Sequence, residues 1–367
     1  MAYQADDSAA LKHIFDVARI EKFAADTKVV WPGFDDAGFR AHAMNGLDDL
    51  GIMQRMRQIA SAYDRTLPQD YETALAVLRD MAPSIQLGFA GIVLSEFVLM
   101  RGLDDFQRSM EALAFFTRFG TSEFAIRPFI ERDPGAALSV MHGWTEDENE
   151  HVRRLASEGA RPRLPWSFHL KALIADPELV LPILERMKAD PSLYVRKSVA
   201  NHLNDISKDH PDWLIGKMLD WDQSAPETGW IVKQALRTLV KNGDARALDL
   251  IGASGKAEVR TEDFSVAPRN VSLGGKVTIS ARVKSSGSRM QKIVADYAVH
   301  YVKANGKSSR KVFKLKLIDL APGESVDLSI SQTIRDFSTR THHAGWHKVE
   351  LMLNGETVGE TGFELTC

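Results

Sequence analysis

Residues 151–166 read HVRRLASEGARPRLPW, residues 194–213 read YVRKSVANHLNDISKDHPDW, and residues 230–243 read WIVKQALRTLVKNG. Their first residues lie 43 and 36 positions apart. Those spacings bracket the unit of about 40–47 residues found in HEAT and armadillo helix pairs. One pair cannot bury its apolar face alone, so neighbours stack into a continuous core with a concave inner surface. In each segment a basic residue follows the first apolar position: Arg153 and Arg154, then Arg196 and Lys197, then Lys233, with Arg237 further along. Repeated helices that repeat a charge at one site are expected to line a groove with it, which suits phosphate binding.

Outward from these segments, the first 250 residues carry helical periodicity. Apolar residues recur at three- and four-residue spacing in ALKHIFDVARIEKFA (10–24), LDDLGIMQRMRQIASAYDRTL (47–67) and YETALAVLRDMA (71–82). Asp70, Pro134-Gly135, Asp190-Pro191 and Gly243-Asp244 punctuate them. After residues 252–255 the period changes to two. Alternating runs occupy 276–283 (KVTISARV), 294–302 (VADYAVHYV), 310–317 (RKVFKLKL), 325–330 (SVDLSI), 346–353 (WHKVELML) and 357–365. Asn305-Gly306, Pro322-Gly323 and Asn354-Gly355 mark turns between them. The expected fold is an all-α HEAT-like superhelix over residues 1–255 followed by an all-β immunoglobulin-like sandwich of about seven strands over 256–367.

Charge is unevenly distributed. The net charge of −3 divides into −6 over residues 1–125, −1 over 126–257 and +4 over 258–367. Within the middle third, residues 151–171 hold Arg153, Arg154, Arg161, Arg163 and Lys171 against Glu158 alone. Such a stripe is the footprint of a phosphate-binding surface or of a solvated helix face. No apolar run reaches the roughly 18 residues of a membrane span, and the first residues lack the pattern of a secretory signal. Cys367 is the single cysteine, so no disulfide or cysteine-based metal site forms within the chain, and a cytoplasmic location is expected. There is no GxGxxG after a strand, no P-loop and no GxSxG elbow. His342-His343 is a weak metal signal, better read as a surface pair.

The densest chemistry lies in 150–166, where four arginines surround Glu158 and Trp166 follows. A lone carboxylate among arginines would, from composition alone, normally be a structural ion pair; the ending of the segment argues against that. Gly159, Pro162 and Pro165 end the helix and stiffen the next stretch, which would present Arg161 and Arg163 rigidly to phosphates. In 195–213, Val195, Val199, Leu203 and Ile206 form a core stripe, with Arg196, Lys197, Asn201 and Lys208 off it. Asp205 is either a polar contact in the repeat's turn or a carboxylate aimed into the groove.

These segments closely resemble the HEAT-like DNA alkylation repair glycosylases, and the appended sandwich resembles the AlkC subfamily in particular. The resemblance implies hydrolysis of the N-glycosidic bond of cationic alkylated bases, 3-methyladenine and 3-methylcytosine among them, in base excision repair. It implies a monomer that grips double-stranded DNA without drawing the damaged base into a snug pocket, and that needs no cofactor or metal. By motif position it places Glu158 and Trp166 in the active site, Asp205 in the second motif, and Glu123, in TSEFAIRPF, as a further active-site carboxylate. The competing reading is a non-catalytic helical scaffold that binds DNA or a protein.

Overall fold

The computed structural model describes residues 11–253, 255–337 and 341–367. Among the described residues, sixteen α-helices occupy the chain as far as Leu250 and eight strands follow from Val259. Aspartates start many of the helices. The carboxylates of Asp16, Asp35, Asp70, Asp105 and Asp133 each accept from a backbone N–H of the first turn, satisfying a donor the helix itself leaves open. The acidic surplus of the first 125 residues is therefore partly a set of helix caps. Asp16 also breaks the periodic run at 10–24: a 3₁₀ turn, Lys12–Phe15, precedes it and the helix Val17–Val30 follows. Pro134 opens the helix Pro134–Gly143 directly after the helix Arg127–Arg132 ends, because the first turn needs no donor from it.

The chain forms two compact units. The first comprises residues up to His210 together with 222–235. Its core includes Phe23, Phe34, Phe39 and Tyr63, all fully or almost fully buried, with the Phe39 and Tyr63 rings 4.5 Å apart. The three motif segments begin on the helices Glu150–Glu158, Leu193–Ile206 and Pro226–Ala235, and each of these packs against the next in sequence order.

The second unit comprises residues 211–221 and 236–367. The helices Pro211–Asp220, Arg237–Lys241 and Ala245–Leu250 thus group with the strands, whereas the change of period in the sequence falls after them. Local contacts explain the grouping. Gly243, at φ 76°, lies against Gly355, with room for no side chain between them, and the Asn354 amide donates to the carbonyl of Gly255.

The strands are β1 (Val259–Ala267), β2 (Asn270–Ser272), β3 (Lys276–Ser285), β4 (Gln291–Val302), β5 (Ser308–Leu320), β6 (Ser325–Thr333), β7 (Gly345–Leu353) and β8 (Glu356–Thr366). They make a three-stranded sheet, β1-β3-β6, and a five-stranded sheet, β2-β8-β7-β4-β5. All pairs are antiparallel except β2 with β8. Tyr297, Val299, Val349 and Phe363 are buried in one core cluster of the strands. Asn354-Gly355 turns β7 into β8 with both residues at positive φ, the twist that a two-residue hairpin requires. Both β1 and β2 escape the alternating pattern: β1 is interrupted by a bulge near Asp263, at φ 53°, and β2 is only three residues long.

Candidate active site

Three elements of the first unit converge on one cleft of about 690 Å³. The first is the loop carrying Glu123. Its entry is fixed by the close approach of two glycines: a Cβ on Gly91 would stand 2.4 Å from the Phe119 carbonyl, and one on Gly120 would stand 2.7 Å from the Gly91 carbonyl carbon. Ser122 then anchors the loop, donating to the Leu113 carbonyl and bonding the Ser95 hydroxyl, both at 2.8 Å.

The second element is the helix Glu150–Glu158 with the segment after it. Asn149 caps the helix, which brings Arg154 and Glu158, four residues apart, onto one face. Gly159 follows in an α-helical, not left-handed, conformation. Its role is packing, because a Cβ there would lie 2.6 Å from Ile126. The third element, the helix Leu193–Ile206, contributes Tyr194, Ser198, Asn201 and Asp205.

A chain of alternating charges joins these elements. Glu123 Oε2 lies 2.7 Å from Arg154 Nη1, and Arg154 Nη2 lies 3.5 Å from Glu158 Oε1. Arg161 Nη1 donates to the same Glu158 oxygen at 2.7 Å, and Arg161 Nη2 meets Asp205 Oδ2 at 2.8 Å. Lys208 closes the series on Asp205 Oδ1 at 2.9 Å. The Ser198 hydroxyl donates to Glu158 Oε2 at 2.6 Å, and the Arg154 guanidinium stacks 5.0 Å over the Tyr194 ring. Burial pushes the Glu158 carboxyl up. Arg154, Arg161 and the Ser198 hydroxyl outweigh it, so the net pKa lies below the ordinary glutamate value. Burial likewise lowers Arg154 and Arg161, and their carboxylate neighbours more than restore them. Glu158 is thus a permanent anion at neutral pH, held from both oxygens.

The cleft is walled by Phe89, Phe124, Leu164, Trp166 and Tyr194, with Glu123, Glu158, Arg154 and Arg161 among its polar lining. Trp166 is 58% exposed, sits at φ 65°, and meets Phe89 edge-on at 6.4 Å. A bulky residue in the left-handed region is a strained position, and such positions cluster at functional sites. Asp205 lies outside the lining. It is buried behind Arg161, in the last turn of its helix.

The expected phosphate ligands divide. Arg153 pairs with the buried Asp190 at 2.8 Å and donates to the carbonyls of Asp147 and Glu148. Arg196, its counterpart one repeat later, donates to the carbonyls of Asp190 and Pro191. The recurrent arginine thus ties down the loop that enters its own helix. Arg154 and Arg161 are taken up by the carboxylates above, and Arg163 makes a two-pronged contact with Asp209. Spacing could not reveal these partners, because Asp190, Asp205 and Asp209 lie 37 to 46 residues away in sequence. Lys197, Lys233 and Lys171 are exposed, with no ion pair among the described residues. Asn201 lines the cleft, Lys208 is exposed beside Asp205, and Arg237 is half-buried in the second unit. His342 is buried rather than on the surface, bonded to Asp336. Among the described residues no His, Cys, Asp and Glu cluster has metal-binding geometry, and no helix is long and apolar enough to cross a membrane.

Sequence reasoning passed over Arg127 and His202. Each has a signal in hindsight: Arg127 interrupts the apolar run AIRPFI, and His202 flanks the core position Leu203. His202 is wholly buried, bonds the Ser157 carbonyl at 3.0 Å, and is pushed down to about 4 chiefly by burial.

The chain thus carries a helical-repeat unit with buried, guanidinium-braced carboxylates beside an aromatic cleft, followed in sequence by a sandwich. Residues 116–239 match the family described as DNA alkylation repair enzyme, and residues 260–367 match that described as the C-terminal Ig-like domain of the uncharacterised protein YhaZ. The chain belongs to the AlkC family of DNA alkylation repair glycosylases. It is 39% identical over 359 residues to the uncharacterized protein YhaZ of Bacillus subtilis (strain 168), covering 97% of this chain and 99% of that protein. It also superposes, with a TM-score of 0.94 and 48% identity, on Pseudomonas fluorescens alkylpurine DNA glycosylase AlkC bound to DNA containing an abasic site analog, covering 97% of this chain and 99% of that one.

Proposed function

We propose that this protein is a DNA glycosylase that hydrolyses the N-glycosidic bond of cationic alkylated bases in double-stranded DNA, 3-methyladenine and 3-methylcytosine being the lesions to test. The observation that carries the reading is Glu158, an anion braced at both oxygens at the border of an aromatic cleft. Cleavage of a glycosidic bond moves positive charge onto the sugar, giving oxocarbenium character. A fixed carboxylate stabilises that charge without reorganising, and the Trp166 face favours the same cation.

The carboxylates take different parts. Glu158 is depressed below the ordinary glutamate value, so it cannot donate a proton at neutral pH. A base that is already cationic needs none, which selects damaged over normal bases by leaving-group chemistry. Glu123 binds Thr121 and Arg154 through Oε2, and its Oε1 has no partner among the described residues. That oxygen is the one we assign to orienting the attacking water. Asp205 acts through Arg161 as a positioning residue. Lys171, Lys197 and Lys233 supply phosphate contacts; Tyr194, Lys197 and Asn201 share a helix face by their spacing, and Tyr194 and Asn201 line the cleft.

The test is incubation with methylated duplex DNA, reading abasic sites by alkaline cleavage and released base by chromatography. Base release above the spontaneous rate supports the reading. Tight duplex binding without release would return the protein to the scaffold class.

A further inference from the structure

Arg127 lies at the start of the helix Arg127–Arg132 and is 0% exposed, the largest fully buried side chain. No carboxylate lies within ion-pair distance of it among the described residues. Its two terminal nitrogens are spent on backbone, while the buried Nε has no partner among the described residues. Nη1 donates to the carbonyls of Gly159 at 3.0 Å and Arg161 at 2.7 Å, and Nη2 to that of Phe168 at 2.6 Å. The Phe168 ring also stands 5.4 Å from the guanidinium carbon. One side chain thus pins both ends of the segment 159–168. That segment delivers Arg161 to Glu158 and Asp205, and presents Trp166 to the cleft at positive φ.

A buried cation without a carboxylate is expensive to keep, and three carbonyls could have been satisfied more cheaply by water or a neutral donor. Its place explains the arrangement. Glu123, Glu158 and Asp205 face only Arg154 and Arg161 in the buried part of the network, and Arg127 supplies the third positive charge. Burial moves Arg127 down to about 10, which still leaves it protonated at neutral pH.

We propose that Arg127 is a positioning residue for base excision: it holds the 159–168 segment in the geometry that presents Trp166 to the reacting sugar and seats Arg161 between Glu158 and Asp205. This rests on the glycosylase reading above. A lysine at 127 keeps the charge but lacks the planar fork, so it cannot hold both ends of the segment at once.

The experiment uses the full chain carrying Arg127→Lys. It measures single-turnover release of 3-methyladenine, affinity for duplex containing an abasic site analogue, the thermal melt, and amide hydrogen exchange over 159–170. The expected result is excision slowed about tenfold or more, affinity within about twofold of wild type, and faster exchange confined to that segment. Wild-type excision despite faster local exchange would overturn the proposal. So would a parallel loss of rate, affinity and melting temperature with exchange rising throughout the helical unit. If Arg127→Lys does not fold, Phe168→Ala removes the stacked ring from an exposed position: slower excision at unchanged affinity supports the proposal, and a wild-type rate overturns it. Absence of release by the wild-type protein would instead sink the glycosylase reading itself.

Discussion

Arg161 holds Glu158 and Asp205 together, one carboxylate on each terminal nitrogen, at 2.7 and 2.8 Å. The two acids belong to successive repeats and would repel each other without it. The guanidinium makes a rigid anionic pair out of two separate helices, and the consequences are measurable.

Glu158→Gln should separate chemistry from binding. Glutamine still accepts from Arg161 but loses the charge, so single-turnover excision should fall about a hundredfold or more. Duplex affinity should hold or tighten, because an anion near phosphates has gone. The buried arginines lose part of their compensation, and stability should drop by about 1–3 kcal/mol. A variant that excises at the wild-type rate would remove Glu158 from the mechanism.

The cations should sort by their partners. Lys197→Ala and Lys233→Ala, which break no ion pair among the described residues, should each reduce the salt dependence of duplex binding by about one unit of slope. Arg153→Ala should leave that slope alone. It strands Asp190 in the interior, at a cost of about 3 kcal/mol read by denaturant unfolding. The opposite pattern would mean that Arg153 leaves Asp190 for the DNA.

His202 should make stability pH-dependent. Its pKa is about 4 in the folded protein against 6.5 for an ordinary histidine. Between those values the unfolded chain binds the proton and the folded one does not, so stability falls as pH drops through that window. The loss from this group between pH 7 and pH 5 should be about 2 kcal/mol. Urea unfolding of His202→Gln at both pH values should show that increment removed.

Gly120→Ala should displace Glu123 without touching it. The added methyl meets the backbone of Gly91 and Ile92, which cannot rotate away. We expect a loss of about 1–3 kcal/mol and slowed excision, with lysine-dependent duplex binding retained. Excision at full speed would show that the loop tolerates a shift.

How much was legible from the residues follows from the range of each interaction. The repeat helices, the change of period near residue 256 and six of the eight strands rest on local periodicity, which the chain carries in consecutive residues. The bulge in β1 and the shortness of β2 are set by pairing with distant strands, and neither leaves a run long enough to read. The candidate carboxylates were singled out because each stands in a stretch that resembles a long family motif. Which arginine serves which acid was not, since Arg153 finds Asp190, Arg161 finds Asp205 and Arg163 finds Asp209 only after one repeat stacks on the next.

The sequence alone therefore determined the helical-repeat and sandwich classes, the single cysteine that leaves no disulfide within the chain, and the segments that supply the candidate site. Tertiary structure decided the state of the charges. A stripe of arginines is the same string of letters whether it faces phosphate or carboxylate. Burial beside Glu123, Glu158, Asp190 and Asp205 turned most of this one inward, whereas Lys171, Lys197 and Lys233 stay exposed with no ion pair among the described residues. It also decided that Arg127, one letter within AIRPFI, clamps three carbonyls more than thirty residues away. Coulomb energy and desolvation depend on distances that a linear chain does not contain.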